Sequence, residues 1–374
     1  MKAVEQGEKT MYSFEPSDEQ KMLIDAVSRY ASSDLREAAR DAEEENQLPP
    51  ELIEKGWEMG VLQASIPEEY GGFGEYSALT GVLATEEMTW GDLAGTMAVM
   101  LPGLYVLPIF LAGNEAQKRE FIPAVIEAEW KPYTAALMEA KFDFDPDDLE
   151  TVAEENGDGY VLKGEKVFVP YAEDAEGMIV YARLNGKSQG FIVPKGTEGL
   201  EVGERQKLLG INALPMYSVR LDSVNVAKAN RIGGDEGHDF APIINSTRVA
   251  LASMACGVSK AAFEYSRDYA KDREVFGVKV AQKQAIAFML AEMATEIEAI
   301  RLLVWETAWM MDKDKEEASK SAYLALTGAA DMAMMVTDRA VQILGGHGYI
   351  REHPVEMWMR NGRGFSTFMG LAMV

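Results

Sequence analysis

Histidine and cysteine are nearly absent from this chain: three histidines (His238, His347, His353) and one cysteine, Cys256, in 374 residues. A single cysteine excludes an internal disulfide and any cysteine-cluster metal site, and the scattered histidines make no metal-spaced set. Cys256 lies in an apolar helical stretch and reads as a packed core residue. Basic residues are also in short supply, with 36 Lys and Arg against 61 Asp and Glu and a formal net charge of -25. Such a surface is soluble and argues against nucleic acid or an anionic membrane as partner. No long uninterrupted apolar run occurs. The longest, Thr96 to Gly113, is broken by Pro102, Gly103 and Pro108, so it is not read as a membrane span. The opening residues, MKAVEQGEKTMYSFEPSDEQ, hold no apolar leader segment. A cytoplasmic protein is the expectation.

What is present is an ordinary globular composition, 47% apolar and 26% charged, in a chain long enough for two or three domains. Residues from about 17 to 134 carry helical periodicity. Ser17 and Gln20 form a capping box ahead of Met22, Leu23, Ala26, Val27 and Tyr30. Pro50 suits the first turn of the helix ELIEKGWEMGVL, and IPEEYGGFG, from Ile66 to Gly74, reads as a loop. A helix is expected from Ala78 to Met88 and another from Glu115 to Trp130. The pattern changes near Trp130 to short alternating runs such as YVLKGEKVFV, GMIVYARL and MYSVRLDSVNV. Asn156-Gly157, Asn185-Gly186 and Gly233-Gly234 supply turn signals. These predict a small β-barrel or sandwich. Asp143 to Glu155 is expected as an exposed acidic loop. From about Asp239 three long amphipathic helices follow, indicating a bundle. The fold class is therefore α+β: an N-terminal all-α domain over 1–134, a middle β-domain over 135–235 and a C-terminal helical bundle over 236–374.

The best glycine cluster follows the last long helix: Gln342, Gly345, Gly346 and Gly348 in QILGGHGY. By itself it reads as a C-cap, or as a turn that lets another molecule approach closely. The first bundle helix ends in Arg273-Glu-Val-Phe276-Gly277, and Gln284 opens the next. Arg273 alone could be a helix-end charge on the macrodipole or a phosphate ligand.

Together with IPEEYGGFG, LAGNEAQKREFIP, the ALME at Ala136 to Glu139 and YVLKGEKVFV, in this order and spacing, these elements resemble the acyl-CoA dehydrogenase family over essentially the whole chain. The resemblance implies the helical, β and four-helix-bundle domains, a tetramer, FAD as cofactor and an acyl-CoA thioester as substrate. It also implies an electron-transferring flavoprotein as acceptor. In that chemistry a carboxylate base removes the α-proton beside an oxyanion site, and FAD takes the β-hydride. By resemblance, Arg273, Phe276, Gln284, Gln342, Gly345 and Gly346 match the residues that hold the adenine and pyrophosphate end of a neighbouring subunit's FAD. Arg248 matches an arginine close to the acyl site, or else makes a helix-start salt bridge.

The flavin-ring side departs from the family pattern. Met138-Glu139 followed by Asp143-Phe144-Asp145 replaces the family's Thr-Glu and Gly-Ser-Asp. Phe168-Val169-Pro170 replaces Trp-x-Thr/Ser, and Met369-Gly370-Leu371-Ala372-Met373 replaces Glu-Gly-Thr-x-Gln. Met357 stands where the family has Lys or Arg. The common catalytic Glu falls on Met369, and the alternative position falls on Thr247. Neither a thioether nor a neutral hydroxyl serves as a base near pH 7, so no catalytic residue is assigned. Three readings follow. The favoured one is a non-catalytic subunit that donates half of a FAD site to a homologous dehydrogenase subunit in an α2β2-type complex. The others are a self-sufficient homotetrameric flavoenzyme with a displaced base, and a flavin-free CoA-binding or structural protein.

Overall fold

The computed structural model describes residues 14–126, 129–157 and 159–374. The reading that residues 1–13 hold no apolar leader lies outside the described residues.

The N-terminal part is helical: α1 (Asp18–Tyr30), α2 (Arg36–Glu45), α3 (Pro50–Glu58), α4 (Ala78–Gly91), α5 (Leu93–Val99), α6 (Gly103–Ala112) and α7 (Glu115–Ile126). The start of α1 is the capping box: Ser17 Oγ accepts from the Gln20 N–H at 3.2 Å, and the Gln20 side chain accepts from the Ser17 N–H at 2.9 Å. Pro50 opens α3, where its missing N–H leaves no intrahelical bond unmade. The N-terminus of α4 is held from far along the chain. Asp312 accepts from the Ala78 N–H at 2.6 Å and from the Ser77 hydroxyl at 2.8 Å, placing a carboxylate on the positive end of the helix. The apolar segment with Pro102 and Pro108 becomes the buried α5 and α6. No single helix among the described residues is long and apolar enough to cross a membrane.

The middle part holds β1 (Tyr133–Ala136), β2 (Val152–Asn156), β3 (Gly159–Pro170), β4 (Gly177–Leu184), β5 (Lys187–Pro194), β6 (Leu200–Arg205) and β7 (Met216–Ala227). They form one seven-stranded sheet in the order β1-β4-β2-β3-β7-β6, with β5 also paired to β4. One bridge, Val152 to Arg183, joins the β1-β4-β5 group to the β2-β3-β7-β6 group. The sheet folds over at that bridge. Val180, Phe191 and Val193 from one group share a core with Leu162, Val219 and Val224 from the other. Asn185 and Gly186 both take positive φ (52° and 78°) and close the β4–β5 hairpin. Asp143 to Glu155 is not wholly an exposed loop: Leu149 and Thr151 are buried, and Val152 onward joins β3 as β2. The acidic composition concealed a strand whose partner lies further along the chain.

The C-terminal part comprises α8 (Ala241–Asp272), the short hairpin β8 (Glu274–Val275) and β9 (Val278–Lys279), α9 (Gln284–Asp312), α10 (Ala318–Leu344) and the short α11 (Val355–Gly362). α8 is the axis. Its small residues, Ala250, Ala252, Ala255, Ala261 and Ala262 among them, are buried and let α4 and α10 pack closely. One continuous core joins the N-terminal helices to this bundle. α9 is different: although apolar, it buries only Met293, Ile297, Val304, Thr307 and Ala308.

Candidate functional site

The residues matched to the cofactor's adenine end lie at one end of the bundle and face outward. Arg273 is the C-cap of α8, and its N–H donates to the Tyr269 carbonyl at 2.8 Å. Its guanidinium is exposed and forms no ion pair among the described residues. Phe276 and Gly277 turn the β8–β9 hairpin with φ of 54° and 76°, and the Phe276 ring is 97% exposed. Gln284 and Gln342 are exposed as well. At the end of α10, Gly345 adopts φ 59°, ψ -128°, a conformation that side chains oppose. A Cβ added at Gly345 or Gly346 would meet nothing within 4 Å of this chain. The Tyr269 hydroxyl bonds His347 Nδ1 at 2.8 Å and so ties the glycine turn to the helix that carries Arg273. A free guanidinium, two exposed amides and an open glycine turn fit the diphosphate and adenosine of FAD.

The opposite side of the subunit is apolar. Gly370 takes φ 85° and lies so close to Leu137 that a Cβ would approach it to 2.8 Å. Leu371, Ala372, Met373 and Val374 are buried, and the Val374 side chain rests on Gly81 at the start of α4. The Val374 carbonyl accepts from the Tyr76 hydroxyl at 3.0 Å and the Ser246 hydroxyl at 2.6 Å. Burial, reinforced by Asp312, pushes the Tyr76 phenol well above its usual range, so it stays a donor at neutral pH. Met369 is half-buried against the main core. Thr247 is buried on α8. The adjacent Arg248 is half-buried, its guanidinium 5.5 Å above the Tyr323 ring, with Nε enclosed and unbonded. Burial lowers the Arg248 pKa, and Asp147, Tyr323 and Asp145 oppose that shift. Asp147 and Asp145 therefore lie within electrostatic reach of Arg248.

A cleft of about 240 Å³ lies between Phe168, Met216, Leu209, Phe368 and Leu371, with Arg360 and Arg363 at its rim. Two positions of the strand beside it offer no donor. The Phe168 N–H is already given to Gln206 Oε1 at 3.0 Å, and Pro170 has none. Phe168 and Pro170 therefore offer a flavin ring no backbone donor, and the donors lining this cleft are the side chains of Arg360, Arg363, Ser366 and Thr367, whereas the outward residues fit the adenosine end.

Two features escaped sequence reasoning. Lys166, fully buried, pairs with Glu139 at 2.7 Å and donates to the Leu137 carbonyl at 3.0 Å. The Glu139 carboxylate also accepts from the Thr151 N–H at 2.9 Å. The pair fastens the segment before the acidic loop to β3. His347 and His353, six residues apart around a turn, lie stacked. The ion pair depends on a contact remote in sequence and the stack on the turn that brings its rings together; neither has a local signature.

The chain thus has a helix–sheet–helix architecture, with one core shared by both helical parts. The sequence matches the acyl-CoA dehydrogenase N-terminal domain over residues 17–129, the middle domain over 134–224 and the C-terminal domain over 240–372. It is similar to the caffeyl-CoA reductase-Etf complex subunit CarC of Acetobacterium woodii, 32% identical over 370 residues, covering 96% of each chain. An acyl-CoA dehydrogenase of Bacillus subtilis is 32% identical over 363 residues, covering 95% of each. The butyryl-CoA dehydrogenase structure from Megasphaera elsdenii superposes with a TM-score of 0.87 at 29% identity, covering 97% of this chain and 96% of that one. The chain belongs to the acyl-CoA dehydrogenase family of flavoprotein oxidoreductases, whose members bind FAD.

Proposed function

We propose that this chain is the non-catalytic subunit of a heteromeric acyl-CoA dehydrogenase, giving half of a FAD site to a homologous catalytic subunit. The observation that carries this reading is the contrast between its two faces. Arg273, Gln284, Gln342 and the Gly345–Gly346 turn are exposed and unspent. The segment from Met369 to Val374 fills the acyl side with apolar side chains and carries no Asp or Glu.

In the complex, Arg273 and the glycine turn would hold the diphosphate, and the two glutamines the adenosine. Bound FAD supplies the acceptor for the substrate's β-hydride. Neither Met369 nor Thr247, the two positions matched to the family's base, carries a carboxylate, so α-proton removal falls to the partner. The uncovered face of α9 and α10 is the surface for that partner. Phe288, Leu302, Tyr323 and Leu324 lie exposed there, and covering a side chain of this kind contributes roughly 1.5–3 kcal/mol. An acyl-CoA substrate and an electron-transferring flavoprotein as acceptor accord with the relative named for an Etf complex.

The test is to purify the chain alone and again after co-expression with a homologous dehydrogenase subunit, and to record visible spectra. A colourless chain alone and a yellow complex are expected. Stoichiometric flavin in a homotetramer would overturn the subunit reading, and a colourless complex would leave a flavin-free protein.

A further inference from the structure

The cleft of about 240 Å³ beside Phe168 has apolar walls and, at its rim, an arginine that no carboxylate pairs with. Met216, Ile211 and Leu371 in its walls are buried, and the Phe368 ring lies so close to Gly364 that a Cβ there would meet it at 1.8 Å. Two wall residues are held in left-handed backbone, Phe168 at φ 55° and Ile211 at φ 49°, a conformation that bulky and β-branched side chains resist. Each is fixed by an amide oxygen. Gln206 Oε1 accepts from the Phe168 N–H at 3.0 Å, and Asn361 Oδ1 accepts from the Ile211 N–H at 2.8 Å. The walls are therefore set before any ligand arrives, which lowers the cost of binding.

The charges at the rim do not cancel. Arg360 gives Nε to Glu356 at 2.9 Å, and Nη1 to Glu43 and to the Leu209 carbonyl. Glu356 also pairs with Arg40 at 2.6 Å. Two arginines thus balance two carboxylates, and Arg360 Nη2 is left enclosed and unbonded. Arg363 is exposed and forms no ion pair among the described residues. Asp331 and Asp338 of α10 share a neighbouring hollow with Arg363 but do not pair with it. One uncompensated positive charge stands over an apolar cleft.

We propose that this cleft binds a small monocarboxylate with an apolar body, of the kind of octanoate, its carboxylate on Arg363 and its chain against Phe168, Met216 and Phe368. The inference goes beyond the half-site reading and rests on it only in that no flavin ring of this chain's own fills the cleft. The volume falls below the ~300–1,000 Å³ of sites for drug-sized ligands, which limits the body to a short chain. A guanidinium gives a carboxylate two parallel N–H donors, and the apolar walls take a chain that needs none. An alcohol of the same length has the body without the charge, so it measures what Arg363 adds.

Saturation-transfer NMR titrations of the full chain with octanoate and with octan-1-ol test this, the visible spectrum being recorded first. Octanoate is expected to bind at least tenfold more tightly than the alcohol. Arg363→Gln should weaken octanoate at least tenfold and leave the alcohol unchanged. Leu209→Glu, at a side chain 65% exposed on the rim, adds a like charge and should also weaken octanoate. Both positions are exposed, so neither substitution disturbs the core. Equal affinity for acid and alcohol, or octanoate bound by Arg363→Gln as by wild type, would overturn the inference. The spectrum separates the two ideas. A colourless chain that ignores octanoate refutes this inference alone. A chain yellow with stoichiometric flavin refutes the subunit reading, and this inference with it.

Discussion

The Lys166 ammonium lies 2.7 Å from the Glu139 carboxylate with the lysine fully sealed from solvent. Burial pulls the Lys166 pKa down to about 8 against the pull of Glu139. On Glu139 burial pushes upward, but the ammonium and the Thr151 and Glu150 N–H donors outweigh it and lower the net value. The pair is therefore ionised at neutral pH and fixes β3 to the chain before the acidic loop. Lys166→Met strands a buried carboxylate and should cost about 3–5 kcal/mol. Lys166→Met combined with Glu139→Leu should be less damaging than Lys166→Met alone, because no charge is left unpaired. Urea unfolding of the three proteins decides it, and a double variant worse than the single would refute the argument.

Restoring a carboxylate at Met369 should not restore catalysis in this chain by itself. Met369→Glu places one carboxylate before the apolar run Gly370 to Val374, which packs on Leu137 and is held by Tyr76 and Ser246, and leaves the rest of that run as apolar as before. Exchange of the α-hydrogen of a short acyl-CoA with deuterated water is the measure. Exchange by the purified variant above the wild-type background would show a working acyl site here.

The parts of the fold legible in the sequence are those fixed by neighbours along the chain. The Ser17–Gln20 capping box, Pro50 at a helix start, the Asn185–Gly186 hairpin and the glycine turn after Leu344 all have local causes. The Arg273-to-Gln284 spacing was legible because one helix end, a tight hairpin and the next helix start occupy so few residues. The rest is long-range. Asp312 capping α4, Lys166 meeting Glu139, and the tail from Leu371 docking against Tyr76 and Ser246 each join residues with no periodic relation. Substitutions at Met369 and Pro170 could be read as losses. Only the structure shows that Leu371 to Val374 are buried in the core and that Phe168 has spent its N–H.

The two glycines after α10 should separate conformation from contact. Gly345 takes φ 59° and ψ -128°, so Gly345→Val should cost of order 1–3 kcal/mol although its Cβ meets nothing. Gly346 has open space and no positive φ, so Gly346→Ala should leave stability within about 0.5 kcal/mol. It should nevertheless lower the flavin content of the complex, because the added methyl intrudes where the partner's cofactor must approach. Thermal melts of the chain alone beside flavin-to-protein ratios of the complex test both halves. Unchanged flavin in Gly346→Ala would mean that nothing packs closely on that turn.

Asp92 carries a stability cost that asparagine would remove. Its carboxylate caps α5, accepting from the Gly95 N–H at 2.7 Å, yet the side chain is buried. Burial pushes its pKa up to about 6, and Glu43 adds to the rise, while the Gly95 and Leu93 N–H groups and Arg36 oppose it. An unfolded aspartate titrates near 4, so between about 4 and about 6 the native state binds more protons than the unfolded chain. Stability therefore falls as pH rises through that window, and the loss persists at neutral pH. The amide introduced by Asp92→Asn would keep the cap without the charge. Arg36 would remain held between the Trp90 and Trp358 rings, 4.0 and 4.6 Å from their centroids. Asp92→Asn should be more stable than wild type at pH 7.5 by about 1–3 kcal/mol, since each tenfold change in proton affinity is worth about 1.4 kcal/mol. The advantage should shrink as the pH falls from about 6 toward about 4 and vanish below it, where wild-type Asp92 is neutral in both states. Urea midpoints of the two proteins across that range, at unchanged m-value, give the difference directly. A variant less stable at pH 7.5, or a gap that widens in acid, would show that the Asp92 charge is needed where it lies.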